Sequence, residues 1–169
     1  MDAVQKWNME LRAQEIVEIL KEHKFDAHYA EDVENAKKIM QDLIPQGAKI
    51  AVGGSVTLGS TGILDEVIRS PKYQFIDRYA AKDYEDMLNL YREGLTSDVF
   101  VSSVNAITKE GQLVCIDCTG NRVSSIIFGP KKVIIIAGVN KVCDTLEDGI
   151  KRAKAIAPLN ARRIPHKDA

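Results

Sequence analysis

Two cysteines and a run of small polar residues share one short stretch of this chain, "LVCIDCTGNR" (113–122). Cys115-x-x-Cys118 has a spacing used by zinc sites and dithiol redox centres. The same stretch continues into Thr119-Gly120-Asn121-Arg122, a small-residue turn followed by a cation. Side chains on a strand alternate faces, so an extended 112–118 sends Cys115 and Cys118 to opposite sides. A structural zinc also wants four ligands, and Cys143, His23, His28 and His166 offer no supporting spacing. The expectation is therefore no metal: Cys115 belongs to the core and Cys118 is a thiol at a pocket edge. His23 and His28 read as solvated or capping residues.

Other chemistry-bearing residues stand where strands are expected to end. They are Gly53-Gly54-Ser55-Val56-Thr57, Ser102-Ser103-Val104-Asn105, Asp117 to Arg122, and Gly138-Val139-Asn140-Lys141. A glycine-rich turn entering a helix points free backbone N–H groups outward, and the helix dipole favours an anion. Ser55 and Thr57 add hydroxyl donors, and Arg122 is able to make a two-pronged contact with carboxylate or phosphate. Each has a plainer alternative: a tight turn with an N-cap at 53–57, an N-cap at Asn121, a surface arginine at 122. Asp117 either orients Arg122, caps a turn, or works as an acid or base. Together they predict a ligand site built from Gly53, Gly54, Ser55, Thr57, Asn105, Thr119, Gly120, Asn121, Arg122 and Asn140. Asp117, Asn105 and Lys141 are the weak catalytic candidates.

The elements that must position these groups follow from periodicity. Leu11, Ile16, Ile19 and Leu20 predict an amphipathic helix within 2–24, and Val33 to Leu43 a second. Strands are expected at 25–30, 48–54, 73–79, 97–107, 111–117 and 131–141, and helices at 56–68, 83–94 (closed by Gly94), 121–128 and 145–157 (ended by Pro158). Strands alternating with helices imply α/β architecture with a mainly parallel sheet covered on both faces. "VIII" (133–136), without alternation, reads as a central strand. Too few residues separate 99–103 from 112–117 for a parallel crossover, so one local hairpin or bend is expected near residues 99–117. One domain is expected over 1–169, with a helical leader carrying one short strand (1–44), a core sheet (45–160) and a polar tail (161–169) that is partly disordered.

The 169 residues are 45% hydrophobic and 28% charged, with 23 Lys and Arg against 24 Asp and Glu, so the net charge is −1. That balance leaves no basic stripe for nucleic acid. No apolar run reaches the roughly 20 residues that span a bilayer, and the N-terminus has no signal-peptide pattern. Three cysteines are too few for a disulfide scaffold, and a reducing, cytoplasmic location is the simplest expectation.

"VGGSVTL" (52–58), "SSVNAITKEGQLVCIDCTGNRVSSIIFGPKKVIIIAGVNKV" (102–142) and "APLNARR" (157–163) resemble the LUD domain family, of the lactate-utilisation protein C type, formerly a domain of unknown function. The family is similar in fold to the class of ribose-5-phosphate isomerase, glucosamine-6-phosphate deaminase and the CoA transferases. The resemblance implies a three-layer α/β/α Rossmann-like sheet, with Gly53–Thr57 and Thr119–Arg122 lining the ligand site. It also implies a link to oxidation of lactate to pyruvate alongside iron–sulfur partner proteins. This chain lacks the repeated cysteine clusters that hold such centres. No strand end offers the glutamate nucleophile of a CoA-transferase mechanism. The functional expectation is an accessory subunit of organic-acid (lactate-type) utilisation, without an iron–sulfur cluster or other cofactor of its own. It would bind a small anion (an organic acid, sugar phosphate or CoA ester). The alternatives are an isomerase-like or transferase-like enzyme using Asp117, Asn105 and Lys141, and a structural partner or homodimer docking through the N-terminal helix.

Overall fold

The computed structural model of the protein describes residues 2–163. Four strands, β1 (Lys49–Val52), β2 (Gln74–Phe75), β3 (Val99–Ser102) and β6 (Lys132–Ile135), form a fully parallel sheet in the order β2-β1-β3-β6. Period-two alternation divides its side chains. Ile50, Val52, Val99, Val101 and Ile134 face one apolar layer with Met40, Ile44, Leu58 and Val67. Ala51, Phe100 and Val133 face the other, with Ile76, Leu90 and Ile126. Helix α2 (Val33–Leu43) and the 56–68 segment cover the first face; α4 (Tyr84–Gly94) and α5 (Asn121–Ile127) cover the second. This is the three-layer α/β/α arrangement.

A second sheet lies beyond the carboxyl edge of the first. Its order is β5 (Leu113–Val114), β4 (Ala106–Thr108), β7 (Val142–Cys143). β4 and β5 make the local antiparallel hairpin, and β4 pairs with β7 in parallel. The tracks of β3 and β6 thus each continue, after a break, into the small sheet. Expected strands 97–107, 111–117 and 131–141 are correspondingly shorter or split. The polar breaks, Ser103 to Asn105 and Gly138 to Lys141, are the seam between the sheets. Helix α1 (Ala3–Glu22) packs Ile16 and Leu20 on the seam-side cluster of Val104, Ile107 and Val142. Helix α6 (Leu146–Ala161) lies against the small sheet through Gly149, where a Cβ would come within 3.2 Å of Val114 Cγ2.

Each longer helix starts on an acidic or hydroxyl cap, as its sequence requires. Asp2, Asp32, Asp83 and Thr145 accept from the backbone N–H of Gln5, Asn35, Asp86 and Asp148.

Several expected elements are corrected. Residues 25–30 form no strand: Asp26 pairs with His28 at 2.9 Å, Phe25 is exposed, and no strand edge runs alongside. The 56–68 helix breaks into α3 (Val56–Ser60) and a π-helical turn (Leu64–Ile68), because Gly62 sits at φ +71° between them. Gly94 ends α4 without a left-handed cap; it is needed because a Cβ there would stand 3.1 Å from Ala51 Cβ. Pro158 does not stop α6, which runs to Ala161. The bond that the proline forfeits belongs to the carbonyl of Lys154, an exposed residue on a stretch open to solvent. Of the expected polar tail, residues 164–169, with His166, lie outside the described residues.

Candidate functional site

Parallel pairing brings the carboxyl ends of all four strands of the large sheet to one edge, where open α/β sheets bind ligands. After β1 the chain turns through Gly53-Gly54, and Ser55 caps α3 by accepting from Leu58 N–H at 3.3 Å. Gly53 is required by crowding. A Cβ there would lie 2.4 Å from Ser102 Oγ and 3.1 Å from Arg122 Cγ. Ser102 is fully buried, so Gly53→Ala is expected to destabilise the fold by about 1–3 kcal/mol, as overpacking does. Thermal denaturation checks this. The Ser102→Gly second change, which removes the struck hydroxyl, should recover part of the loss.

Arg122 is the hub of the site. Its Nε donates to Asp117 Oδ1 at 2.8 Å, Nη1 to the Ser103 carbonyl at 2.9 Å, and Nη2 to Asn105 Oδ1 at 2.7 Å and the Ile116 carbonyl at 3.0 Å. Asp117 Oδ2 accepts from Val123 N–H at 2.7 Å, so this carboxylate both orients the arginine and caps α5. That relieves Asn121 of capping: Gly120, at φ +87°, enters the helix, and the Asn121 carbonyl accepts from Ser124 and Ser125. The side chains of Arg122 and Asp117 are only 12% and 10% exposed. Four of the five guanidinium N–H donors are engaged within the chain.

Lys141 stands across the seam. Its Nζ donates to Thr57 Oγ1 at 2.8 Å and to Ser103 Oγ. Among the described residues no carboxylate pairs with it. Burial, then the positive charges of Arg152 and Arg122, lower its pKa to about 8. Arg152 comes from α6 and donates Nη1 to the Asn105 carbonyl; it too has no carboxylate partner among the described residues. Among the described residues, three cations thus share the seam with one carboxylate, Asp117.

The structure brings together Gly53, Ser55, Thr57, Asn105, Asp117, Arg122 and Lys141 from the expected set. Gly54 and Thr119 are exposed at the rim, and Gly120 and Asn121 open α5. Asn140 is exposed and turns its amide oxygen toward its own Gly138 turn. The Cys115 thiol is half-buried against the seam cluster, and burial raises its pKa; Cys118 is exposed. Iodoacetamide at pH 7.5 is expected to label Cys118 at least about tenfold faster than Cys115. Comparable rates would contradict the burial. Among the described residues no three His, Cys, Asp or Glu side chains gather as a metal site.

Sequence reasoning missed Arg152 and Arg78. Nothing in the sequence separates Arg152 from the solvated charges around it on α6. Arg78 had a signal, since it falls near the carboxyl end of the expected strand 73–79, at the same edge. It is 8% exposed, donates to Tyr91 Oη, lies 4.6 Å from the centre of that ring, and has no carboxylate partner among the described residues. Its Nη1 is 3.3 Å from where a Gly54 Cβ would be, so the glycine loop passes between Arg78 and Arg122.

The model of the LUD domain matches residues 13–168, nearly the whole chain. The chain belongs to the LUD domain family. This family is associated in general with lactate utilisation. No curated protein and no solved structure matches the chain. In this LUD domain the matched span takes in every element from within α1 through α6.

Proposed function

We propose that this LUD domain is a small-anion-binding protein of organic-acid (lactate-type) utilisation, acting as an accessory subunit. The observation that carries the reading is the pair of seam cations, Lys141 and Arg152, which have no carboxylate partners among the described residues and stand at the strand ends beside two hydroxyls and the glycine loop. A half-buried cation without a counter-charge is costly, and a bound carboxylate or phosphate relieves that cost. Arg122 supports the site as its scaffold, because its donors are already spent on the chain. In this reading the iron–sulfur chemistry belongs to partner proteins, since this chain has three cysteines and a cluster takes four ligands.

The test is a thermal-shift series with lactate, pyruvate, inorganic phosphate, a sugar phosphate and a CoA ester. A true ligand at about 100 times its Kd adds about 2.7 kcal/mol, which is a rise of about 5–10 °C for a chain of this size. Flat melting curves with all five would sink the reading.

A second reading, a docking role through α1, rests on Val4, Trp7 and Leu11, which stand exposed at helical spacing on that helix. Native mass spectrometry, showing either a dimer or a monomer, decides whether a second copy takes that face.

A further inference from the structure

We infer that Lys141 is a carbonyl-condensing amine, forming an imine with small aldehydes or ketones that carry an anionic group. The inference rests on the anion-binding reading, because the flanking cations must take the ligand's charge. Its geometric basis is the setting of Nζ. Two hydroxyls, Thr57 Oγ1 and Ser103 Oγ, hold the nitrogen at the strand edge, and its third N–H has no partner among the described residues. A lysine locked to a carboxylate keeps its proton and its lone pair is unavailable. Here the neighbours are instead two guanidinium groups, Arg122 and Arg152, and the seam carboxylate, Asp117, is held by Arg122 and the Val123 amide. Desolvation beside other cations is one of the ways in which lysine nucleophiles are activated. With a pKa of about 8, about a tenth of the molecules hold a free amine at pH 7, against fewer than about one in a thousand for an ordinary lysine.

The step balances without any redox partner. The amine lone pair adds to the carbonyl carbon, and the carbonyl oxygen takes a proton as nitrogen loses one, giving a carbinolamine. That hydroxyl leaves with a second proton as water while nitrogen forms the C=N bond. Ser103 and Thr57, already at hydrogen-bonding distance from the nitrogen, are placed to relay these protons. Arg152 then faces the anionic group, which explains the requirement for charge: a neutral carbonyl compound gains nothing from the cations.

The experiment incubates the wild-type protein with glyoxylate or pyruvate and cyanoborohydride, which reduces any imine to a stable amine, and locates the adduct by peptide mass spectrometry. The expected result is one adduct per chain, on Lys141, formed at least about tenfold faster than on any other lysine. Its rate should rise with pH to about 8 and then level, whereas surface lysines continue to gain. Glycolate and lactate, which lack the carbonyl, should compete, acetaldehyde should react slowly, and Lys141→Arg should abolish the fast adduct. Site assignment in the wild type decides the matter even if that variant does not fold. Even modification across the lysines, or none, overturns the inference. If lactate or glycolate raises Tm while no adduct forms on Lys141, the imine falls and the anion site stands. If no adduct forms and none of the five anions of the thermal-shift series raises Tm, both fall.

Discussion

Arg122→Ala is expected to lower the unfolding free energy by about 3–5 kcal/mol, the usual consequence of removing one partner of a buried ion pair. The loss is large because one half-buried guanidinium adds four contacts and a charge pair to two pieces of chain that the β4–β5 hairpin and the Asn105 bonds to Val114 and Ile116 hold side by side. The Ser103 carbonyl and Asn105 belong to the break after β3, the Ile116 carbonyl and Asp117 to the segment after β5, and all four converge on one guanidinium. Without it, Asp117 keeps the Val123 amide, the Ser103 carbonyl keeps the Ser102 hydroxyl and Asn105 Oδ1 keeps the Ile116 N–H, while the Ile116 carbonyl loses the guanidinium. Urea denaturation of the variant measures the effect; a change below about 1 kcal/mol would show that the hub is not holding the seam. Arg122→Lys retains the charge but cannot reproduce a fork with four contacts, so it should recover only a minor part. Because the two share the Nε–Oδ1 contact while each keeps others of its own, Asp117→Ala added to Arg122→Ala should cost less than the sum of the two single changes.

Lys141→Met is expected to weaken anion binding about tenfold to a hundredfold, the loss of one charge-assisted hydrogen bond of about 1.5–3 kcal/mol. Isothermal titration with whichever anion gives the largest thermal shift reads this directly. The pH dependence has a definite sign. The folded pKa of Lys141 is lowered to about 8 from an ordinary 10.5. Below pH 8 the lysine is protonated in both states and the full cost of its half-buried charge is present. Between about pH 8 and 10.5 the native state sheds the proton while the unfolded chain keeps it, so the wild type gains stability relative to Lys141→Met across that window. After allowance for solvent screening the gain is on the order of 1–2 kcal/mol. Anion affinity runs the opposite way: level below pH 7, it should fall as pH passes 8, and Lys141→Met should show no such fall. A wild-type affinity independent of pH from 6 to 9 would remove Lys141 from the site.

The large sheet was legible because its strands are apolar, β-branched and bounded by glycine or polar residues, and because parallel pairing admits few arrangements. Its polar strand ends were visible for the same reason. The failures have local causes. Residues 25–30 alternate like a strand, but a strand exists only where another offers an edge. Gly62 and Pro158 were misjudged in opposite directions: one breaks a helix that periodicity runs through, and the other is carried by a helix on a stretch open to solvent. Within the site, the spacing from Asp117 to Arg122 hinted at a pair, but the turn between them does not show that the arginine folds back onto Ser103 and Asn105. That depends on β3 lying beside the loop in space. Arg152, distant in sequence and unremarkable in type, could be found only through the fold.

The seam also sets an order of events in time. Ile50 pairs with Val99 and Val99 with Lys132, while Lys141 reaches back to Thr57 across 84 positions. Such distant closures are slow, because chain entropy is lost before the contacts compensate for it. A chain leaving the ribosome acquires the glycine loop, the serines and Arg122 well before Lys141 and Arg152. Until β6 and α6 have emerged and docked, it has the walls of the site but neither of the cations left to hold a ligand, so capture awaits a completed fold.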